Sequence, residues 1–401
     1  VVTGLGAVSA SGWGVPSLER ALQAGVTEIR PLRRFDAAGQ RTRVGGEVPP
    51  PTGEVLARLP DWRRLTWADR FAVAAALEAA GQARLPGDLG GMQAGVFFAS
   101  STGGMPECER WFAEMLRDSA SARPGALGSQ QVNGPGDAVA RRLGVRGPVE
   151  TVSSACASGA LAVQSALGAL RRGEVELALA GGADALCLTT YAGFNALRSV
   201  DATPCRPFRR SRAGLSLGEG AGVLVLETAQ SAIRRGVKPL AEVAGAGASC
   251  DAHHMTAPLP DGAAAARAAR TALEDAGLTP DAVDFVNAHG TGTSHNDAAE
   301  WAALHRLFGA GAARMPVEAT KALLGHLLGS AGALEAVVTV LGLRSRLLHA
   351  VPGDGEIDPA TPVDLVRGQP RPLREARAAL SLNLAFGGAN AALVLAAWTD
   401  P

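Results

Sequence analysis

Short apolar runs recur along this chain, separated by longer stretches with helical spacing, and that alternation restricts the folds open to it. The runs are Gly95-Val-Phe-Phe98, Leu177-Ala-Leu-Ala-Gly181, Gly222-Val-Leu-Val-Leu226, Asp284-Phe-Val-Asn287 and Ala379-Leu-Ser-Leu382. A strand that is apolar throughout, rather than at every second residue, is covered on both faces. Between the runs, Arg70 to Ala83 and Ala263 to Ala276 carry apolar residues at helical intervals. The pattern predicts an α/β protein with buried sheets. At 401 residues the chain is long for a single core and suggests two halves or two domains. The segments Val48-Pro-Pro-Pro-Thr-Gly53 and Ala122-Arg-Pro-Gly-Ala126 read as surface loops.

Charge and cysteine usage exclude several function classes. Lys plus Arg number 38, as do Asp plus Glu, so neither nucleic acid nor an anionic membrane surface is indicated as a partner. The five cysteines, Cys108, Cys156, Cys187, Cys205 and Cys250, are scattered without CxxC or Cys/His ligand spacing. That favours free thiols in a reducing compartment over a disulfide framework or a zinc site. Val1-Val-Thr-Gly4 reads as a strand entering a turn, not as a secretory leader. Ala378 to Trp398 holds no charge, yet Ser381, Asn383, Gly387-Gly388 and Asn390 interrupt it. Its two halves read as buried strands about a turn rather than a membrane span. A cytoplasmic protein is expected.

Cys156 lies in Thr151-Val-Ser-Ser-Ala-Cys-Ala-Ser-Gly-Ala-Leu161. Val149 to Val152 reads as the end of a strand. From Ala157 a helix follows, with Ala160, Leu161, Val163, Ala166 and Leu167 on one face. Such a turn places the sulfur near a helix N-terminus, where the macrodipole favours thiolate. The small neighbours leave room for a substrate. Alone, the same stretch would describe a buried structural cysteine. Three other motifs accompany it: Asn287-Ala-His289-Gly-Thr-Gly-Thr293, Thr320-Lys321-Ala-Leu-Leu-Gly-His326-Leu-Leu-Gly329, and Phe386-Gly-Gly-Ala-Asn390. The only lysines are Lys238 and Lys321 in a chain otherwise rich in arginine, which singles out Lys321. Val149-Glu-Thr-Val and Val317-Glu-Ala-Thr-Lys each open onto a small-residue helix, a hint of internal duplication.

Taken in this order, the motifs resemble those of the β-ketoacyl-[acyl carrier protein] synthases of the thiolase superfamily. The resemblance runs from Val2-Thr-Gly-Leu-Gly6 to Ala391-Ala-Leu-Val-Leu395. It implies the thiolase fold, two pseudo-duplicated halves packed as five αβαβα layers. Residues 1–236 would carry the nucleophilic Cys, and 237–401 the two His and the Lys. It also implies decarboxylative Claisen condensation: an acyl chain on Cys156 is extended by two carbons from malonyl carrier protein. His289 and His326 would stabilise the enolate, and the backbone N–H groups of Cys156 and Phe386 would form an oxyanion hole. Phe386 would also act as a gate. A Cys-His-His set implies elongation, since initiating synthases place Asn at the position of His326.

Lys321, Glu335, Asp297 and Glu300 resemble the family's polar support for the histidines. For the last two, an ordinary solvated helix face is the rival. Thr291 and Thr293 resemble the pair that binds phosphopantetheine amides, and Cys108 falls where the family lines its acyl pocket. Arg63, Arg64, Arg206 and Arg209 are candidates for docking an acidic carrier protein, with Arg206-Pro-Phe-Arg-Arg210 the better-placed cluster. His254 resembles a residue near the pocket; His253, His295, His305 and His349 carry no assigned role. Neither metal nor redox cofactor is implied, because phosphopantetheine arrives on the carrier protein. A homodimer, or a heterodimer with a related subunit, is expected.

The chain departs from the family pattern at Leu384-Ala385 before Phe386 and at Ser294-His-Asn-Asp297. These changes bear on acyl preference. Cys187, Gly193-Phe-Asn195 and Cys205-Arg-Pro-Phe208 resemble synthases of aryl-polyene-type pathways. Two alternatives stay open: a silent chain-length partner subunit, and a Cys-dependent acyltransferase without condensation.

Overall fold

The computed structural model describes residues 1–399. The five apolar runs are all strands, and two six-stranded sheets organise the molecule. Across the first sheet the order is Gly12–Trp13, Val2–Ser9, Gly220–Glu227, Leu177–Asp184, Ala94–Ala99 and Val149–Val152. Across the second it is Glu242–Cys250, Ala389–Ala396, Ala378–Leu384, Phe285–Asn287, Pro316–Glu318 and Asp364–Leu365. Apart from the short strands Gly12–Trp13 and Asp364–Leu365, the two orders match strand for strand when each half is read along the chain. The senses match as well. In each sheet the first strand is antiparallel to the last, the last is antiparallel to the fourth, and the second and third run parallel beside the fourth. One topology has been built twice.

Two helices lie between the sheets. Ser158–Arg171 follows the third strand of the first half, and Ala331–Ser345 follows the third strand of the second. They touch each other and strands of both sheets. Every residue from Ala331 to Leu343 is buried. A helix that is apolar on all sides belongs inside a protein rather than at its surface. The stretch Leu328–Ser345 has the length and hydropathy of a membrane span, but 89% of it is buried within the protein. The other uncharged stretch, Ala378 to Trp398, forms two adjacent antiparallel strands about a turn, as expected from its sequence.

Close approach of the central helices needs side chains that are absent. A Cβ on Gly159 would stand 2.4 Å from the Ala333 nitrogen, and one on Gly332 would stand 2.7 Å from the Ala160 nitrogen. These reciprocal glycines let two backbones pack where larger residues would force them apart. Trp67–Gln82 and Gly134–Arg142 cover the outside of the first sheet, and Ala263–Asp275 with Ser294–Phe308 covers the outside of the second. The result is the five-layer helix–sheet–helix–sheet–helix arrangement. The central layer matters most for the site, because both of its helices begin there.

Candidate active site

Cys156 stands between the strand Val149–Val152 and the helix Ser158–Arg171. Ala155 before it has φ 45°, a left-handed conformation that costs a residue with a side chain about 1–2 kcal/mol. The Ser158 hydroxyl secures the turn: it accepts from the Ser154 N–H at 2.7 Å and donates to the Ala155 carbonyl at 2.6 Å. The expectation of a thiolate-favouring thiol is not met. Cys156 is only 7% exposed, and burial pushes its thiol up to about 11. Lys321 and the Phe386 N–H, which bonds the sulfur, oppose that rise without overcoming it. Desolvation outweighs the helix terminus, and Cys156 rests as a neutral thiol.

A ring nitrogen of His289, a ring nitrogen of His326 and the Cys156 sulfur all lie within 4.8 Å of one another. The two imidazoles meet edge to face, with centroids 5.4 Å apart and planes at 87°. Burial and the Lys321 charge hold both well below the ordinary histidine range, so both are neutral. The tautomer of His326 is fixed. Leu328, in a left-handed conformation (φ 54°), donates its N–H to His326 Nδ1 at 3.0 Å. Nε2 therefore carries the hydrogen, and it is buried with no partner. A buried donor left unbonded in the resting protein is available to a ligand. The same three residues lie close enough together to hold a metal ion.

Phe386 enters from the turn between Ala378–Leu384 and Ala389–Ala396. Gly387 and Gly388 both have φ near +84° (84° and 83°), a conformation glycine adopts without strain. The turn is pinned from outside: the Gly387 N–H donates to Met255, the Asp251 N–H donates to Gly388, and Asn390 Nδ2 donates to Asp251 at 2.7 Å. The Phe386 ring stacks on Phe194, with centroids 5.6 Å apart at 21°. Phe194 lines the same cavity as Cys156, through a packing contact that Gly193-Phe-Asn195 gives no local sign of.

Lys321 is 1% exposed and bonds Glu335, whose other oxygen accepts from Asn383 Nδ2 at 2.6 Å. The structure brings these two expected residues together and adds Asn383, which an apolar strand sequence did not reveal. Lys321 makes no hydrogen bond to either imidazole and acts on them through its charge. Asp297 and Glu300 are fully buried, which removes the solvated-face alternative. Their support is indirect. Glu300 accepts the backbone N–H groups of His289 (2.6 Å) and Gly290 (2.8 Å), and Asp297 accepts those of Phe208 (2.7 Å) and Gly292 (3.1 Å). Both carboxylates shape the loop that presents His289 and leave the ring alone.

One cavity of about 420 Å³ gathers Cys156, His289, His326, Phe386, Thr291 and Thr293. The two threonine hydroxyls lie 3.0 Å apart along its wall. His254 lines it as expected, and His295, Arg198 and Arg212 line it without having been singled out. Three expectations need correction. Cys108 sits on the helix Met105–Arg117 and is not among the residues lining this cavity. Arg209 is 2% exposed, its guanidinium donating to the carbonyls of Val351, Gly353 and Gly355, so it cannot meet a carrier protein. Arg206 is tied to Asp201 at 3.0 Å with its side chain 21% exposed, and contributes little free surface. A sequence cluster of arginines did not distinguish a buried backbone anchor from a surface patch. Arg63 and Arg64 are exposed and line a separate groove beside Trp62 and Trp67.

Comparison with known proteins agrees with this geometry. The family description "beta-ketoacyl synthase, N-terminal domain" matches residues 1–232, and "beta-ketoacyl synthase, C-terminal domain" matches residues 240–353. The 3-oxoacyl-[acyl-carrier-protein] synthase 2 of Synechocystis is 35% identical, over 98% of this chain and 96% of its own length. The structure of the ishigamide ketosynthase/chain length factor superposes with a TM-score of 0.92 at 34% identity, covering 100% of this chain and 99% of that one. A type II polyketide ketosynthase, solved with its acyl-carrier protein and bound to the hexaketide, superposes with a TM-score of 0.89 at 28% identity, covering 99% of each chain.

Proposed function

The chain belongs to the β-ketoacyl synthase family of carbon–carbon bond-forming acyltransferases, and on that premise we propose that Cys156 carries the acyl chain and that His289 and His326 govern condensation. The observation that carries this is the neutral His326, whose Nε2–H is buried without a partner on a ring that has a nitrogen within 4.8 Å of the Cys156 sulfur.

In the first half-reaction the Cys156 sulfur attacks an acyl thioester on a carrier protein. The acyl group moves to sulfur, the carrier thiol leaves, and the Cys156 proton passes to that leaving thiolate. The N–H groups of Phe386 and Cys156 face the sulfur and would hold the oxyanion of the tetrahedral intermediate. In the second half-reaction malonyl carrier protein loses carbon dioxide. The electron pair of the broken bond becomes an enolate, whose oxygen accepts from the imidazole N–H donors. Its carbon attacks the Cys156 thioester, and the tetrahedral adduct collapses to β-ketoacyl carrier protein, two carbons longer, with Cys156 expelled and reprotonated. Two neutral donors beside a fixed positive charge suit this step, because the negative charge of the malonyl carboxylate moves onto the enolate oxygen as carbon dioxide leaves.

Thr291 and Thr293 would bind the amides of the phosphopantetheine arm that arrives on the carrier, and the protein itself needs no metal or redox cofactor. Arg63 and Arg64 remain the candidates for carrier docking. Residues 1–236 and 237–401 would act as the two halves, one supplying the nucleophile and the other the donors. A homodimer, or a heterodimer with a related subunit, is supported by the half-exposed edge strand Val149–Val152 and by Phe112 and Leu116, exposed on the helix Met105–Arg117. Cytoplasmic location and an aryl-polyene-type pathway belong to the same proposal. They rest on the free cysteines and on the Gly193-Phe-Asn195 and Cys205-Arg-Pro-Phe208 segments.

Intact-mass analysis tests it. Wild type incubated with acyl carrier protein should gain the acyl mass, and Cys156→Ala should not. Adding malonyl carrier protein should release a product two carbons longer from wild type and not from His326→Ala. Acylation without any extended product would leave an acyltransferase.

A further inference from the structure

Glu318 and His349 form a buried acid–imidazole couple that the steps above do not use. Glu318 is 1% exposed and His349 is 3% exposed. His349 Nδ1 lies 3.3 Å from the Ala350 carbonyl, and since a carbonyl only accepts, Nδ1 carries the hydrogen. Nε2 is then a lone pair. It has no hydrogen-bond partner and faces Glu318 Oε2 at 3.6 Å. An ionised carboxylate opposite that lone pair would be repelled. The couple is therefore stable only while it keeps one proton, on the carboxyl or on Nε2.

Glu318 Oε2 accepts the His349 backbone N–H at 3.3 Å, but among the described residues beside the couple no positive charge compensates it. The small cavity beside the couple is lined by Glu19 from the helix Val15–Ala24, by Gln23 and Ser345, and by aliphatic side chains. No lysine or arginine lines it. Burial pushes Glu318 up to about 8 and His349 down to about 4.

The couple also touches the catalytic framework. Asn287 and Glu318 are register partners on adjacent parallel strands. Asn287 Nδ2 donates to Glu318 Oε1 at 3.2 Å and to Thr320 Oγ1 at 3.3 Å, and the Ala288 N–H donates to the Glu318 carbonyl at 2.9 Å. His289 follows Ala288 directly, and Lys321 follows Thr320. One side chain thus ties together the ends of the two strands that deliver the donor and the fixed charge.

We propose that Glu318, held by His349, is a positioning residue for the condensation step, clamping through Asn287 the strand ends that present His289 and Lys321. This rests on the condensation chemistry proposed above. While Glu318 keeps its proton the clamp is closed; when it ionises, the carboxylate turns from the His349 lone pair and the strand ends lose their common anchor.

The test separates the half-reactions in Glu318→Ala, Glu318→Gln and His289→Ala. Glu318→Ala should acylate Cys156 within about twofold of wild type and lose about tenfold in kcat for condensation, with KM for malonyl carrier protein unchanged. Glu318→Gln, which keeps an acceptor for Asn287 and cannot ionise, should recover most of that loss and lack the alkaline decline in kcat that the clamp predicts for wild type. Equal loss in both half-reactions, or no loss, in Glu318→Ala would overturn the proposal. If Glu318→Ala does not fold, Glu318→Gln decides, and an alkaline limb unchanged from wild type refutes the clamp. Undiminished condensation by His289→Ala would instead refute the underlying chemistry.

Discussion

The third strands of the two halves occupy equivalent places and meet different surroundings. Val149–Val152 is the edge of its sheet, with Val149 41% exposed. Pro316–Glu318 is covered by the additional strand Asp364–Leu365, and Val317 is fully buried. Each strand runs into the active site and a central helix. The open edge delivers Cys156, and the covered one delivers a lysine and a histidine that must stay dry to keep their state. An ammonium in the interior is tolerable only when paired and bonded, so the strand before Lys321 had to be enclosed. A thiol that is neutral at rest sets no such demand on its strand. An unpaired edge invites pairing with another chain, which places the partner subunit, on the proposal above, beside the nucleophile.

The largest effects should separate the two ends chemically. Cys156→Ala should abolish acylation and therefore everything after it, whereas His326→Ala should keep acylation and lose at least about 100-fold in condensation, both read by intact mass and product release. Conversion of the acyl-enzyme at normal rate without His326 would erase the division of labour.

Next come effects on stability. Lys321→Met leaves Glu335 buried and unpaired, and should cost about 3–5 kcal/mol in denaturant unfolding. Adding Glu335→Leu should recover much of that stability without restoring condensation. A matched pair of charges tests the edges. Val317→Asp should cost more than about 3 kcal/mol. Val149→Asp should leave the fold within about 1 kcal/mol and shift the oligomer toward monomer in sedimentation. Equal penalties would remove the contrast between a covered and an open edge.

The smallest expected effect is on pH dependence. Burial raises Glu318 to about 8 and Glu300 to about 7, and in the first half Glu219 to about 7. A group whose folded pKa lies above its unfolded value contributes stability that is complete below the unfolded value, near 4.5, and is lost as pH rises through the folded one. The melting temperature should therefore fall between about pH 5 and 8, and Glu318→Gln should flatten the upper part of that fall. An unchanged slope would mean that Glu318 is already ionised in the folded protein.

Much of this was legible in the sequence because it was local. Apolar runs flanked by glycine specified the strands, and a small-residue stretch after Cys156 specified a helix that could pack closely. The four motifs named the residues that the fold then gathers in one cavity. What escaped was set by distance in the chain. The thiol's state depends on its burial and on Lys321 and the Phe386 N–H, and neither residue is near Cys156 in sequence. Arg209 reads like its neighbours until the carbonyls of Val351, Gly353 and Gly355 fold around it. Asn383 and Glu318 lie in strands where an isolated polar residue gives no hint of the partner that satisfies it.

The covered, neutral thiol also bears on how the protein ages. Peroxides attack thiolates, not thiols. With burial pushing the Cys156 thiol up to about 11, very little of it is in the reactive form at neutral pH. Cys250, by contrast, is exposed and would be the first thiol to meet an oxidant or an alkylating reagent. A preparation left in air should therefore gain surface lesions long before it loses its nucleophile, and bulk thiol titration would overstate the damage to activity.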